Sequence, residues 1–254
     1  MTAAEKVLSR IEAVQDWLED VYVRLHENPE LSSEEVETAR YVTDLLSSWG
    51  YDVQHVGGGV VGVLANGEGP TVLGRADMDG LPVVEATGLP YASTRTTTDA
   101  TGGTVGVMHA CGHDVHVTAG LGAARLLAEA RDAWSGTYVA LFQPAEETAA
   151  GARAMVADGL VDRVPRPDVA FAQHVLTSPA AGELATAPGA VLSAGDSIRI
   201  TVFGTGSHGS MPHLGVDPVV IAASIVMRLQ TVVAREIAPS AFGVVTVGSV
   251  QAGS

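Results

Sequence analysis

A chain of 254 residues with 46% hydrophobic and 17% charged residues can bury a sizeable core, which excludes global disorder. Its 29 acidic against 14 basic residues leave a formal net charge of −15, which argues against nucleic acid and anionic membrane as partners. One cysteine excludes an internal disulfide, and no apolar signal core interrupts Glu5, Lys6, Arg10 and Glu12, so a reducing cytoplasm is the expected compartment.

Val7, Ile11, Val14, Leu18, Val21 and Leu25 recur at helical spacing and predict one helix over residues 4–27, stopped by Asn28-Pro29. A second helix is expected from Ser32, with Glu35 completing a capping box. Its apolar stripe is Val36, Ala39, Val42, Leu46 and Trp49, and Gly50 is the stop signal. Strands are expected at 53–56, 60–64 and 71–74, followed by a Thr- and Gly-rich loop over about 79–108. A helix over 115–131, a strand at 138–142, a helix near 149–158 and a strand at 169–172 complete the alternation.

This order predicts an α/β fold, a mostly parallel central sheet with helices on both faces. In such sheets ligands bind beyond the carboxyl ends of the strands. Three apolar strands run there into polar groups: Arg75-Ala76-Asp77, Gln143-Pro144-Ala145-Glu146-Glu147 and Gln173-His174. We read residues 1–188 as this catalytic, metal-binding domain. Residues 189–254 are expected to form a second module, with strands at 198–203 and 244–250 around a helix at 217–235. The apolar stretch 218–227 is too short to span a bilayer.

The chemistry-bearing residues concentrate in Met108-His109-Ala110-Cys111-Gly112-His113-Asp114-Val115-His116. A thiolate and an imidazole at Cys-x-His spacing, beside a helix start, suit zinc, manganese, cobalt or nickel rather than calcium or magnesium. A lone cysteine or histidine is more often an inert buried group, so the weight comes from their company and from the strand-end convergence. His109 and His116 are expected to support or to lie at the surface. Of the adjacent Glu146 and Glu147, one can hold a metal while the other faces a substrate, although a solvated pair at a helix start fits the same residues. His174 would equally suit a satisfied buried histidine, and His208, in Gly206-Ser207-His208-Gly209, a plain turn.

The motifs together resemble the metal-dependent aminoacylase/carboxypeptidase family, in its amidohydrolase branch with hippurate hydrolases and indole-acetyl-amino-acid hydrolases. The matching segments are Arg24-Leu25-His26-Glu27-Asn28-Pro29-Glu30-Leu31-Ser32, Arg75-Ala76-Asp77-Met78-Asp79-Gly80-Leu81-Pro82, the Cys111 segment, Phe142-Gln143-Pro144-Ala145-Glu146-Glu147, and Gly206-Ser207-His208-Gly209 with Pro212-His213. The resemblance implies a di-metal exopeptidase-like fold with a pair of divalent metal ions (Zn, Mn, Co or Ni). Cys111 would bridge or help hold them, and His113, Glu147 and His174 would complete most of the ligand set. It implies Glu146 as general base, Asp77 as a carboxylate orienting a ligand, and His208 as the group binding the substrate carbonyl or oxyanion. The implied substrate is an N-acyl amino acid, hippurate-like, and the implied assembly a homo-oligomer formed through residues 189–254, the first half of a lid. Cys111 separates this branch from relatives with aspartate there and favours a deacylase over a dipeptidase or carboxypeptidase. Family members continue past the position of Ser254 and supply a further ligand histidine, so the expectation is a C-terminally shortened chain, one ligand short. A metal-holding piece without turnover is the rival expectation, and an interaction protein dimerising through 189–254 a third.

Overall fold

The N-terminal apolar periodicity folds as two helices, α1 (Ala3–Leu8) and α2 (Ile11–Glu27), in a computed structural model that describes residues 1–98 and 102–252. Residues 99–101 of the expected long loop and the last two of the chain lie outside the described residues. The single expected helix is interrupted because Ser9 Oγ donates back to Lys6 O and the Arg10 N–H bonds to Val7 O, which closes α1 with a turn. A second correction concerns the capping box. The helix α3 (Val36–Ser48) starts after Glu35, and neither Ser32 nor Glu35 caps it, since both side chains are engaged elsewhere. Gly50 does follow the helix end, with φ +81° in the left-handed region that glycine reaches without strain.

The strands are β1 (Asp52–Val56), β2 (Gly59–Asn66), β3 (Thr71–Asp77), β6 (Gly136–Gln143) and β7 (Val169–Ala172), in the order β1-β2-β6-β3-β7. Between β3 and β6 the loop pairs a short hairpin, β4 (Thr96–Thr98) with β5 (Thr104–Gly106). The fold is α/β, as expected, with a mixed sheet: β1-β2 and β2-β6 are antiparallel, while β6-β3 and β3-β7 are parallel. The parallel strands are the ones that run into the polar segments. Asp77 sits opposite Gln143, and Arg75 opposite Ala172, so their carboxyl ends face the same edge.

Helices cover both faces. On one, α2, α3 and α4 (His113–Glu129) enclose Val21, Val42, Leu46, Leu64, Leu121 and Phe142. On the other, α5 (Gly151–Ala157) and α6 (Leu160–Arg163) bring Met155 and Leu160 against Val56, Val61 and Val139. Each such side chain removed from water stabilises the fold by about 1.5–3 kcal/mol.

The chain divides into two compact units, Met1–Leu184 and Ala185–Ser254. Within the second, a bridge joins Thr205 to Val216, and Asp217 caps α7 (Pro218–Thr231), accepting the N–H groups of Val219 and Val220. The expected strands at 198–203 and 244–250 do not form there, because among the described residues neither finds a hydrogen-bonding neighbour, and Ile198 and Phe203 are exposed. The helical run Pro218–Glu236 is 19 residues, longer than the apolar stretch counted in the sequence. By length and composition alone it could cross a membrane, which is weak evidence for doing so.

Candidate metal centre

Tight turns place the polar residues at the edge of the parallel strands. Gly112 precedes α4 with φ +76°, and a Cβ there would meet Val175 Cγ2 at 2.4 Å. Glycine is therefore required between Cys111 and His113, and it lets the chain turn sharply enough to set both toward the sheet edge. After β6, Ala145 adopts φ +48°, and Gly151 packs so closely that a Cβ would lie 1.6 Å from Pro144 O. This turn lifts Glu146 and Glu147 beside α4.

The sulfur of Cys111, a ring nitrogen of His113 and a carboxylate oxygen of Glu147 all lie within 4.8 Å of one another. His113 Nδ1 faces Asp79 Oδ1 at 3.2 Å, and a carboxylate only accepts, so Nδ1 carries a proton and the neutral ring offers its Nε2 lone pair. Among the described residues, that Nε2 is buried without a hydrogen-bond partner, and so is Glu147 Oε1, 3.8 Å from it. Buried polar atoms are seldom orphaned, and two facing each other across a ligand's span fit a cation at about 2.0–2.2 Å from each. The soft sulfur, imidazole and carboxylate suit a transition metal or zinc.

The local charges agree with this. Burial pushes the Cys111 thiol up to about 12, and neighbouring Glu147, Glu146 and Asp77 add to the effect. A cation would reverse that field and deprotonate the thiol. Burial opposes a charged His113, but Asp79, Asp77 and Glu147 outweigh it and hold the imidazole above its ordinary pKa. Asp79 is likewise desolvated, yet bonds from His113, Ser32 and the backbone of Glu147 and Glu146 hold it well below the usual carboxylate range.

Cys111, His113 and Glu147 thus come together. Glu146 stands beside them, its Oε2 3.9 Å from His113 Nε2 and its side chain 37% exposed. His174 is adjacent but outside the triple: its ring centroid is 6.0 Å from that of His113 and 4.8 Å from that of His116, and Nδ1 is turned to Val175 O at 2.7 Å. Asp77 contacts a different histidine. Its Oδ1 accepts from His116 Nδ1 at 2.6 Å and its Oδ2 from Arg75 Nη1 at 2.6 Å, with His113 Nε2 at 3.8 Å. His208 belongs to the second unit, where its Nδ1 meets Ser210 Oγ at 2.9 Å.

The family model for peptidase family M20/M25/M40 matches residues 73–251, more than half of the chain. The chain belongs to this M20 family. It is 38% identical over 233 residues to the N-acetyl-L-cysteine deacetylase of Bacillus subtilis, covering 91% of this chain and 53% of that protein. It is 39% identical over 243 residues to the hippurate hydrolase of Campylobacter jejuni, covering 94% of this chain and 60% of that one. The YXEP protein of Bacillus subtilis, a dinuclear metal-binding peptidase of the M20 family, superimposes with a TM-score of 0.55 at 37% identity, over 64% of this chain and 43% of its own. The chain spans about half to two thirds of the length of the curated relatives it matches.

Reading motifs alone did not single out one residue that builds this site. Asp79 is the carboxylate on His113 Nδ1, and it also accepts from Ser32 Oγ at 2.7 Å and from the Glu147 N–H at 3.0 Å. Its signal was present: a second aspartate two residues after Asp77, at the same strand end. His116, expected either to support the site or to lie at the surface, is fully buried. Its Nε2 accepts the Val175 N–H at 2.9 Å, so the Asp77–His116 pair holds the segment that carries His174. Both nitrogens of His116 are therefore committed, although Asp77, His113 and His116 also lie within 4.8 Å of one another.

Proposed function

We propose that the protein hydrolyses the amide bond of N-acyl amino acids, hippurate-like, with a pair of divalent cations held at the edge of the sheet. The observation that carries this reading is the cluster of Cys111, His113 and Glu147 with two buried ligand atoms, facing each other, that have no hydrogen-bond partner among the described residues. Similarity to a hippurate hydrolase and to an N-acetyl-L-cysteine deacetylase supports the substrate class.

In this reading Cys111, His113, Glu147 and His174 hold the metals, which are zinc, manganese, cobalt or nickel. Bound there, divalent cations supply water of lowered pKa and polarise the scissile carbonyl. Asp79 fixes the His113 tautomer and ring direction, and Asp77, through His116, fixes the His174 segment. Glu146 is the general base. It is close to the ligands, partly exposed and not consumed by the cluster, so it can take a proton from the attacking water and return it to the leaving nitrogen. His208 binds the substrate carbonyl and the charge developing on it. Residues 1–188 act as the catalytic domain and 189–254 as part of a lid through which homo-oligomers form, in the cytoplasm.

A second reading is a metal-holding chain without turnover. It is favoured by His174, which lies outside the Cys111, His113 and Glu147 triple with its Nδ1 turned to Val175 O. Elemental analysis with a hippurate cleavage assay on the full chain and on Glu146→Ala separates the two. Hydrolysis by the chain, lost in the variant with metal content unchanged, is expected. Bound metal without hydrolysis establishes the second reading, and full activity in Glu146→Ala removes Glu146 as the base.

A further inference from the structure

Glu35 stands where a helix-capping acid is expected, at the start of α3, yet its side chain caps nothing there. It turns inward instead, on a backbone set by Ser33 at φ +69°, and is only 5% exposed. Its Oε1 accepts the N–H of Ala145 at 2.6 Å, 110 residues away in sequence. Burial pushes this carboxyl above its ordinary range, while the N–H groups of Ala145, Glu35 itself and Ser33 pull it back. An acid kept in such a place needs a reason beyond packing, because an apolar residue would fill the volume without the desolvation cost.

The reason lies in what Ala145 precedes. Ala145 is buried, holds a left-handed φ that alanine adopts only under constraint, and is followed directly by Glu146 and Glu147. The next N–H groups of this turn are also captured by a carboxylate: Asp79 Oδ2 accepts from Glu147 at 3.0 Å. The backbone on both sides of Glu146 is therefore gripped by acids from two different elements, Glu35 ahead of α3 and Asp79 after β3. Glu35 belongs to neither group of mutually close ligand atoms.

We propose that Glu35 is a positioning residue, which acts through the Ala145 N–H to hold the strained turn that aims Glu146 and Glu147 at the metal site. The proposal rests on the functional reading above only for the roles of those two glutamates. The grip itself is independent of it.

The test uses the full chain and three variants. Glu35→Gln keeps an oxygen acceptor, Glu35→Met keeps length and apolar volume without one, and Glu35→Ala removes both. Amide hydrogen exchange at Ala145 and Glu147 is measured without metal, and Co²⁺ affinity is measured by calorimetry. In Glu35→Met, the Ala145 amide is expected to exchange at least ~10-fold faster. Co²⁺ affinity is expected to fall about 10- to 100-fold, as for other residues behind metal ligands, with Glu35→Gln restoring both. Glu35→Met guards against a Glu35→Ala chain that fails to fold, and its melting temperature is read alongside. Unchanged Ala145 exchange in a folded Glu35→Met chain overturns the proposal, as does Co²⁺ affinity within twofold of wild type. If the wild-type chain binds no Co²⁺ or cleaves no hippurate, the functional reading fails, and amide exchange still decides the role of Glu35.

Discussion

One carboxylate, that of Asp79, reaches both His113 and the loop bearing Glu147: Oδ1 lies 3.2 Å from His113 Nδ1 and Oδ2 accepts the Glu147 N–H at 3.0 Å. The segments carrying His113 and Glu147, more than thirty residues apart in sequence, are thereby fixed to a common point. Asp79→Asn keeps the size but turns one of the two acceptors into a donor. It should weaken Co²⁺ or Zn²⁺ binding by about 10- to 100-fold, measured by calorimetry. Affinity equal to wild type would show that His113 and Glu147 hold their places without Asp79.

Metal uptake should release protons. Burial and its acidic neighbours push the Cys111 thiol up to about 12, so at neutral pH it is protonated and a bound cation must displace that proton. Apparent affinity should rise as pH is raised from 6 to 8, by up to about tenfold per pH unit for each proton released. The check is calorimetry in buffers of different ionisation enthalpy. Replacing Cys111 by Ala should reduce the number of protons released, and an unchanged count would mean that the thiol is not a ligand.

Gly151→Ala should be among the most damaging substitutions in the first unit. The added Cβ would lie 1.6 Å from Pro144 O, a backbone atom that cannot swing aside. Either the turn after β6 reshapes or the unit loses stability, by about 3 kcal/mol or more. Chemical denaturation reads the second outcome and loss of metal binding the first. Wild-type values for both would contradict the packing described here.

His26 should make stability fall as pH rises. It is buried between Asp114 Oδ2 at 2.7 Å and Glu85 Oε1 at 3.1 Å, and joins α2 to the start of α4 and to the loop after β3. Burial disfavours its charge, but the bonds to Asp114 and Glu85 outweigh that and raise its pKa above 6.5. A group whose folded pKa is raised contributes fully below the unfolded value, and that contribution disappears as pH climbs through the folded one. Melting temperature should therefore decline from about pH 6.5 upward, and His26→Gln should flatten that decline. A His26→Gln chain with the same pH slope as wild type would remove His26 as its source.

The sequence by itself determined much of this protein. Apolar alternation and helical spacing fixed the order of strands and helices in the first unit, because each element must bury one face against the same core. Gly50, and the segments that bring Cys111, His113 and Glu147 together, were equally legible, since local conformation and ligand chemistry are written in adjacent residues. Tertiary structure decided how these pieces met. Glu35 and Ser32 look like a helix cap in isolation, but folding brought an unbonded Ala145 N–H and the Asp79 carboxylate within their reach, and those partners won. Asp79 and His116 could be assigned to His113 and Val175 only once β3 and β7 were paired and α4 packed over them. The segments 198–203 and 244–250 carry strand-like patterns, yet a strand exists only where another chain segment supplies its hydrogen bonds. Pattern specifies what each residue can do. Long-range contact selects which of those possibilities is realised.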